Sequence, residues 1–311
     1  MIKNFTRFAL AAGLLSLGIA AGPAIAQTDK AGQFAGYAEK YWKLDSGQKV
    51  ELGEVVHAGK PLQLVGWLTK PSDAPKQAAV IYLGGCNGFD SLGKQYMAEH
   101  LTWLREEGYV VLNVDGLTPR GITREGGYCD ERWSDDNPRY ISGNRRAQDA
   151  MIALTWLAKQ PYVDPNRIGL FGFSGGANSA FAVAVHYAES YEPPRANAWG
   201  AYDARFKAIF AIYPRCFDKA DYSRTKIRTN TMIVIGELDT SSKPEWCKPF
   251  KAVEGVEYRL KLYPGVYHSY MQPLRPREVV WSDGSRHWFA PDPAAKADTV
   301  KEMKAWFAKN L

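Results

Sequence analysis

Apolar residues along this chain follow two rhythms, and their alternation predicts the architecture. Apolar runs at residues 78–83 and 109–115 have the length and composition of strands buried on both faces, 206–213 and 231–235 read as central strands, and 257–263 and a run leading into Phe171 supply two more. Between them the spacing becomes helical. Leu92, Tyr96, Met97, Leu101 and Leu104 recur every three to four positions, helices are predicted at about 142–159 and 177–187, and residues 294–309 form an amphipathic helix with Val300, Met303, Trp306 and Phe307 inward. Alternating apolar positions over 50–70, with Gly59-Lys60 between the runs, predict an antiparallel hairpin. Residues 27–49 read as a polar, loosely docked arm. Residues 116–138, carrying Arg120, Arg124, Cys129 and Trp133, form a long irregular stretch of the kind that caps a site. Strands alternating with helices imply an α/β fold: a mostly parallel central sheet with helices on both faces and chemistry at the carboxyl ends of its strands.

The first residues stand apart from this pattern. Lys3 and Arg7 precede an apolar run over 8–20, and the segment closes on Ala24-Ile25-Ala26, the order of a secretory signal with its cleavage site. A stable membrane anchor needs about 20 continuous apolar residues; this run is shorter and leads to Gly22 and Pro23. Residues 1–26 are therefore expected to be a cleaved signal peptide and residues 27–311 a single domain, secreted or periplasmic. Losing Lys3 and Arg7 lowers the net charge from +6 to +4. The basic residues are scattered along the chain, which speaks for a solvated surface and against a nucleic-acid partner.

Export changes the reading of the cysteines. Cys86, Cys129, Cys216 and Cys247 are too far apart for a C-x-x-C motif, and in an oxidising compartment thiols pair. Reach selects the pairing: Cys216 follows the strand ending near Tyr213 and Cys247 comes shortly after Asp239, whereas Cys86 and Cys129 both lie beyond early strand ends. The expected disulfides are Cys216–Cys247 and Cys86–Cys129, since Cα atoms must come within about 7 Å.

The candidate chemistry centres on Gly172-Phe173-Ser174-Gly175-Gly176, a G-x-S-x-G. Three fixed letters arise by accident in roughly one chain in ten of this length, so the context carries the weight. A strand precedes the motif and an alanine-rich helix follows it, the setting of a nucleophile elbow. A serine hydroxyl needs a base, and the elbow predicts an acid and then a histidine, each beyond a strand end. Asp239 follows the strand ending at Gly236 and has more reach than Glu237 beside the strand edge. His268 comes just after the strand ending near Tyr263, whereas His287 lies in a polar segment with no strand leading into it. An oxyanion would need two backbone N–H donors, Gly175 after the nucleophile and Cys86 in the loop after the first parallel strand.

Taken together, Gly84-Gly85-Cys86-Asn87-Gly88, Thr118-Pro119-Arg120-Gly121, the elbow, Tyr213-Pro214, Gly236 to Asp239 and Tyr263-Pro264-Gly265 to His268 make the chain resemble the dienelactone hydrolase family of α/β-hydrolases, from about Leu62 to the C-terminus. The resemblance implies an α/β-hydrolase sheet and hydrolysis of a small-molecule carboxylic ester or lactone through Ser174, His268 and Asp239, with no cofactor. Two positions depart from it. The founding members use a cysteine where this chain has Ser174, and many relatives have histidine at the position of Gly84.

Other readings stand beside this one. Serine peptidases of the prolyl oligopeptidase type share the fold and the order of residues, and a non-catalytic binding protein could use the same scaffold. Gly88-Phe89-Asp90-Ser91-Leu92-Gly93-Lys94-Gln95 approaches a phosphate-binding loop, but Gln95 stands where a Mg²⁺-binding hydroxyl is required. His57, His100, His186 and His287 have no ligand-like spacing for a metal.

Overall fold

The strand rhythm builds one sheet of eight strands: β1 (Gln48–His57), β2 (Lys60–Thr69), β3 (Gln77–Leu83), β4 (Val110–Asp115), β5 (Val163–Phe173), β6 (Ala208–Ile212), β7 (Asn230–Gly236) and β8 (Tyr258–Tyr263), in the order β1-β2-β4-β3-β5-β6-β7-β8. The computed structural model describes residues 47–86, 91–122, 143–186, 204–216, 225–281 and 284–311, with the backbone alone at 91–96 and 143–144. The leader, residues 27–46 of the arm, Cys129 and residues 123–138 of the long loop lie outside that range. From β4 to β8 every pairing is parallel, and only β2 runs against the other strands.

Helices α1 (Ser91–Glu106), α2 (Gly143–Leu157), α3 (Gly175–His186) and α4 (Pro293–Asn310) cover both faces. Side chains alternate across a strand, and β5 shows the division. Phe171 meets Tyr82 of β3 and His100 of α1, while Phe210 of β6 meets Phe307 of α4. One residue along, Gly172 has Ala180 of α3 against its other face. Lys296 of α4 and Glu99 of α1 form an ion pair at 2.6 Å. Asp292 caps α4 by accepting the Ala295 N–H at 2.8 Å, with Pro293 at the first helical position, where a missing N–H costs nothing.

The β1–β2 hairpin turns on Ala58 and Gly59, with φ of 49° and 75°, and His57 pairs with Lys60. Positive φ at both central residues matches the right-handed twist of the flanking strands. The turn therefore sits one residue earlier than expected. Gln48 and Lys49, read as part of the arm, belong to β1, an edge strand whose outer face accepts polar side chains.

A second correction bears on function. β9 (Arg277–Val280) and β10 (Arg286–Phe289) form a separate antiparallel ribbon, so His287 lies on a strand after all. Four residues carrying charge are too few for a period to register in the sequence.

Candidate active site

Ser174, Tyr213, Asp239 and His268 all lie just beyond the carboxyl ends of adjacent parallel strands, β5, β6, β7 and β8. Ser174 is held at φ 52°, in the left-handed region that side chains disfavour. Surrounding bonds hold it there. Its N–H donates to Ile212 O at 3.1 Å, and its carbonyl accepts Ala177 N at 2.8 Å and Asn178 N at 3.1 Å. The elbow closes because its glycines lack side chains: a Cβ on Gly172 would lie 2.6 Å from Gly176 O, and one on Gly176 would lie 2.0 Å from Leu83 O.

That second approach seats the loop after β3 against the elbow. A Cβ on Gly85 would lie 3.3 Å from Ser174 Cβ, which brings the segment leading into Cys86 beside the serine. Gly175 is the first residue of α3, where first-turn N–H groups have no partner within the helix. Arg146, buried on α2, donates to Gly84 O at 2.9 Å and anchors the same loop from behind. The following strand's loop is anchored too, by a buried two-pronged pair in which Arg120 donates to both carboxylate oxygens of Asp149 at 2.8 Å. Sequence reasoning assigned no role to Arg146. Its signal was a charge in register with the buried Ala150, Leu154 and Leu157 of that helix.

Beyond β7 the chain turns tightly, with Asp239 N donating to Gly236 O at 3.2 Å. Asp239 is buried and fully used. Oδ1 accepts the N–H groups of Ser241 at 2.9 Å and Ser242 at 2.7 Å, and Oδ2 lies 2.6 Å from His268 Nδ1. A carboxylate at Nδ1 draws the imidazole proton to that nitrogen, which leaves Nε2 as the basic one. Glu237 is exposed, and its Oε2 accepts the Gly265 N–H at 3.3 Å. His268 sits between two rings, Tyr213 at 4.5 Å and Phe289 at 4.7 Å between centroids. Tyr213 in turn packs edge-on against Phe173, next to the serine.

The cysteines bracket this edge of the sheet. Cys216 and Cys247 are joined, with Cα atoms 5.2 Å apart, tying the segment after β6 to the one after β7. Cys86 is also engaged in a disulfide; its expected partner, Cys129, lies outside the described residues. His287 is buried and bonded to Thr240 and Ser285. Among the described residues no helix is long and apolar enough to cross a membrane.

Comparison with known proteins bears on the fold and the family. A putative dienelactone hydrolase from Klebsiella pneumoniae superposes with a TM-score of 0.54 at 15% identity, over 85% of this chain and 100% of that one. Thermogutta terrifontis esterase 2, in a form phosphorylated by paraoxon, gives 0.54 at 14% identity, over 85% and 94%. Likenesses at these identities establish the α/β-hydrolase fold. Dipeptidyl-peptidase 5 of Porphyromonas endodontalis is 24% identical over 263 residues, 73% of this chain, which spans only 35% of that protein's length. The model of the dienelactone hydrolase family matches residues 64–311, from β2 to the C-terminal residue. The chain belongs to the dienelactone hydrolase family.

Proposed function

We propose that this protein is an exported serine hydrolase that cleaves carboxylic esters or lactones through Ser174, His268 and Asp239. The observation that carries the reading is the buried Asp239–His268 pair, bonded at 2.6 Å, at the sheet edge where Ser174 is held at φ 52°. His268 Nε2 takes the proton of Ser174 Oγ as the oxygen attacks the carbonyl carbon. The N–H groups of Cys86 and Gly175 stabilise the oxyanion, and the N-terminus of α3 favours negative charge there. Asp239 stabilises the imidazolium, which then protonates the leaving alkoxide. Water, activated by the same imidazole, releases the acid from the acyl-enzyme. Domain and compartment follow the sequence reading: one mature domain from Gln27, with the Cys216–Cys247 disulfide in keeping with an oxidising environment.

The similarity to dipeptidyl-peptidase 5 favours a second reading, in which the same residues cleave a peptide amide and His268 protonates a leaving amine. A panel of p-nitrophenyl esters, lactones and dipeptidyl anilides separates the two. The reading predicts higher kcat/KM on an ester or lactone; preference for an anilide favours the peptidase, and no turnover of any class rejects both. N-terminal sequencing of material recovered from the periplasm or medium should begin at Gln27.

A further inference from the structure

We propose that His287 is a positioning residue that keeps the acid turn and the base loop of the catalytic site in register; this rests on the triad reading above. His287 Nδ1 lies 3.0 Å from Thr240 Oγ1, its Nε2 lies 2.7 Å from Ser285 Oγ, and its ring packs at a 47° tilt against Trp281 with centroids 4.4 Å apart. Thr240 directly follows Asp239 and opens the turn whose next two N–H groups hold Asp239 Oδ1. His287 therefore grips the acid turn from its outer side.

The same strand grips the base. Phe289, two residues along β10 and so on the same face of the ribbon, lies 4.7 Å from the His268 ring. Its backbone forms a parallel bridge with His268, and Ala290 N donates to His268 O at 3.2 Å. One four-residue strand thus holds Thr240 at one end and His268 at the other. A two-stranded ribbon has little stability of its own, so these contacts seat it on the two loops. Without the His287 bond, the acid turn loses one direct hydrogen bond to the strand that positions the base. A small displacement between Asp239 and His268 costs the chemical step more than substrate binding.

The test measures kcat and KM for His287→Ala, His287→Asn and Thr240→Val, and for His287→Ala in an Asp239→Asn background, with circular dichroism and melting as checks on folding. His287→Ala is expected to lower kcat about tenfold with KM little changed. His287→Asn, whose amide can reach Thr240 as Nδ1 does, should restore most of the loss. In the Asp239→Asn background the same change should have little further effect, because the path through the carboxylate is already broken. A His287→Ala enzyme with wild-type kcat, or one that loses as much in the Asp239→Asn background, overturns the proposal. If His287→Ala does not fold, Thr240→Val removes the same bond from an exposed residue, and full kcat in that variant overturns it equally. Failure of the triad reading itself shows separately, as an Asp239→Asn enzyme with undiminished activity.

Discussion

Asp239 Oδ2 lies 2.6 Å from His268 Nδ1, with the carboxylate closed off from water and the imidazole keeping 7% of its side-chain surface exposed. The bond selects the tautomer of the imidazole and would stabilise its positive charge. Asp239→Asn keeps the shape but replaces an acceptor by an amide, so kcat should fall by up to roughly 10⁴ with little loss of stability. Glu237→Gln, altering an exposed carboxyl that faces Gly265, should leave kcat near wild type. Steady-state kinetics on the two variants checks both; equal losses would remove Asp239 from its role.

The elbow makes a prediction about glycine. Gly176→Ala would drive a Cβ to 2.0 Å from Leu83 O and 2.6 Å from Gly84 O, both backbone atoms that cannot step aside. Stability should drop by roughly 1–3 kcal/mol, and activity should drop with it as the loop carrying Cys86 shifts. Gly84→Ala meets the flexible Met97 side chain at 3.4 Å and Tyr82 Cε1 at 3.7 Å, both ordinary contacts, and should be tolerated. Thermal melts and kinetics of the pair distinguish a close approach from a general intolerance of change.

The Cys216–Cys247 bridge closes a segment of 31 residues. Constraint of the unfolded chain alone predicts about 3–4 kcal/mol for a loop of that length. Cys216→Ser with Cys247→Ser should lower the melting temperature accordingly, and non-reducing peptide mapping should recover the two cysteines in one linked pair.

A buried histidine away from Ser174 should contribute to the acid sensitivity of the fold. Tyr82 OH and His100 Nδ1 are hydrogen-bonded at 2.8 Å, and burial holds the phenol well above its usual range. Burial, with Lys296 adding to it, lowers His100 from 6.5 to about 3. The unfolded chain therefore binds a proton that the folded chain refuses between those values. Stability is fully present above pH 6.5 and is lost as pH falls toward 3, by at most about 1.4 kcal/mol per pH unit from this group. Replacing both partners, Tyr82→Phe with His100→Leu, should flatten the slope of unfolding free energy across that window. An unchanged slope would assign the acid sensitivity to other groups.

What the sequence made legible follows from physical scale. The central strands and the helices leave long apolar signatures, and the elbow, Asp239 and His268 stand at predictable distances beyond strand ends, so their places could be read in advance. The Cys216–Cys247 pair followed from the same reasoning. β9 and β10 left no such trace: they are four residues each and carry Arg277, Glu278 and Arg286, and β10 meets the loops of Thr240 and His268. His287 consequently read as a loop residue. Tyr213 and Phe289, which bracket the imidazole, look like ordinary core aromatics until the fold brings them to His268. Arg146 belongs to the same class, since its acceptor, Gly84 O, lies 62 residues away.

The central claim is that Ser174 is the nucleophile, and covalent labelling tests it most directly. The mature protein is treated with a fluorophosphonate, digested, and the modified peptide is identified by mass spectrometry alongside Ser174→Ala. The account predicts a single adduct on Ser174 that forms as ester hydrolysis disappears, with neither labelling nor turnover in Ser174→Ala. An adduct on another residue, or a Ser174→Ala protein that still hydrolyses esters at the wild-type rate, would contradict it.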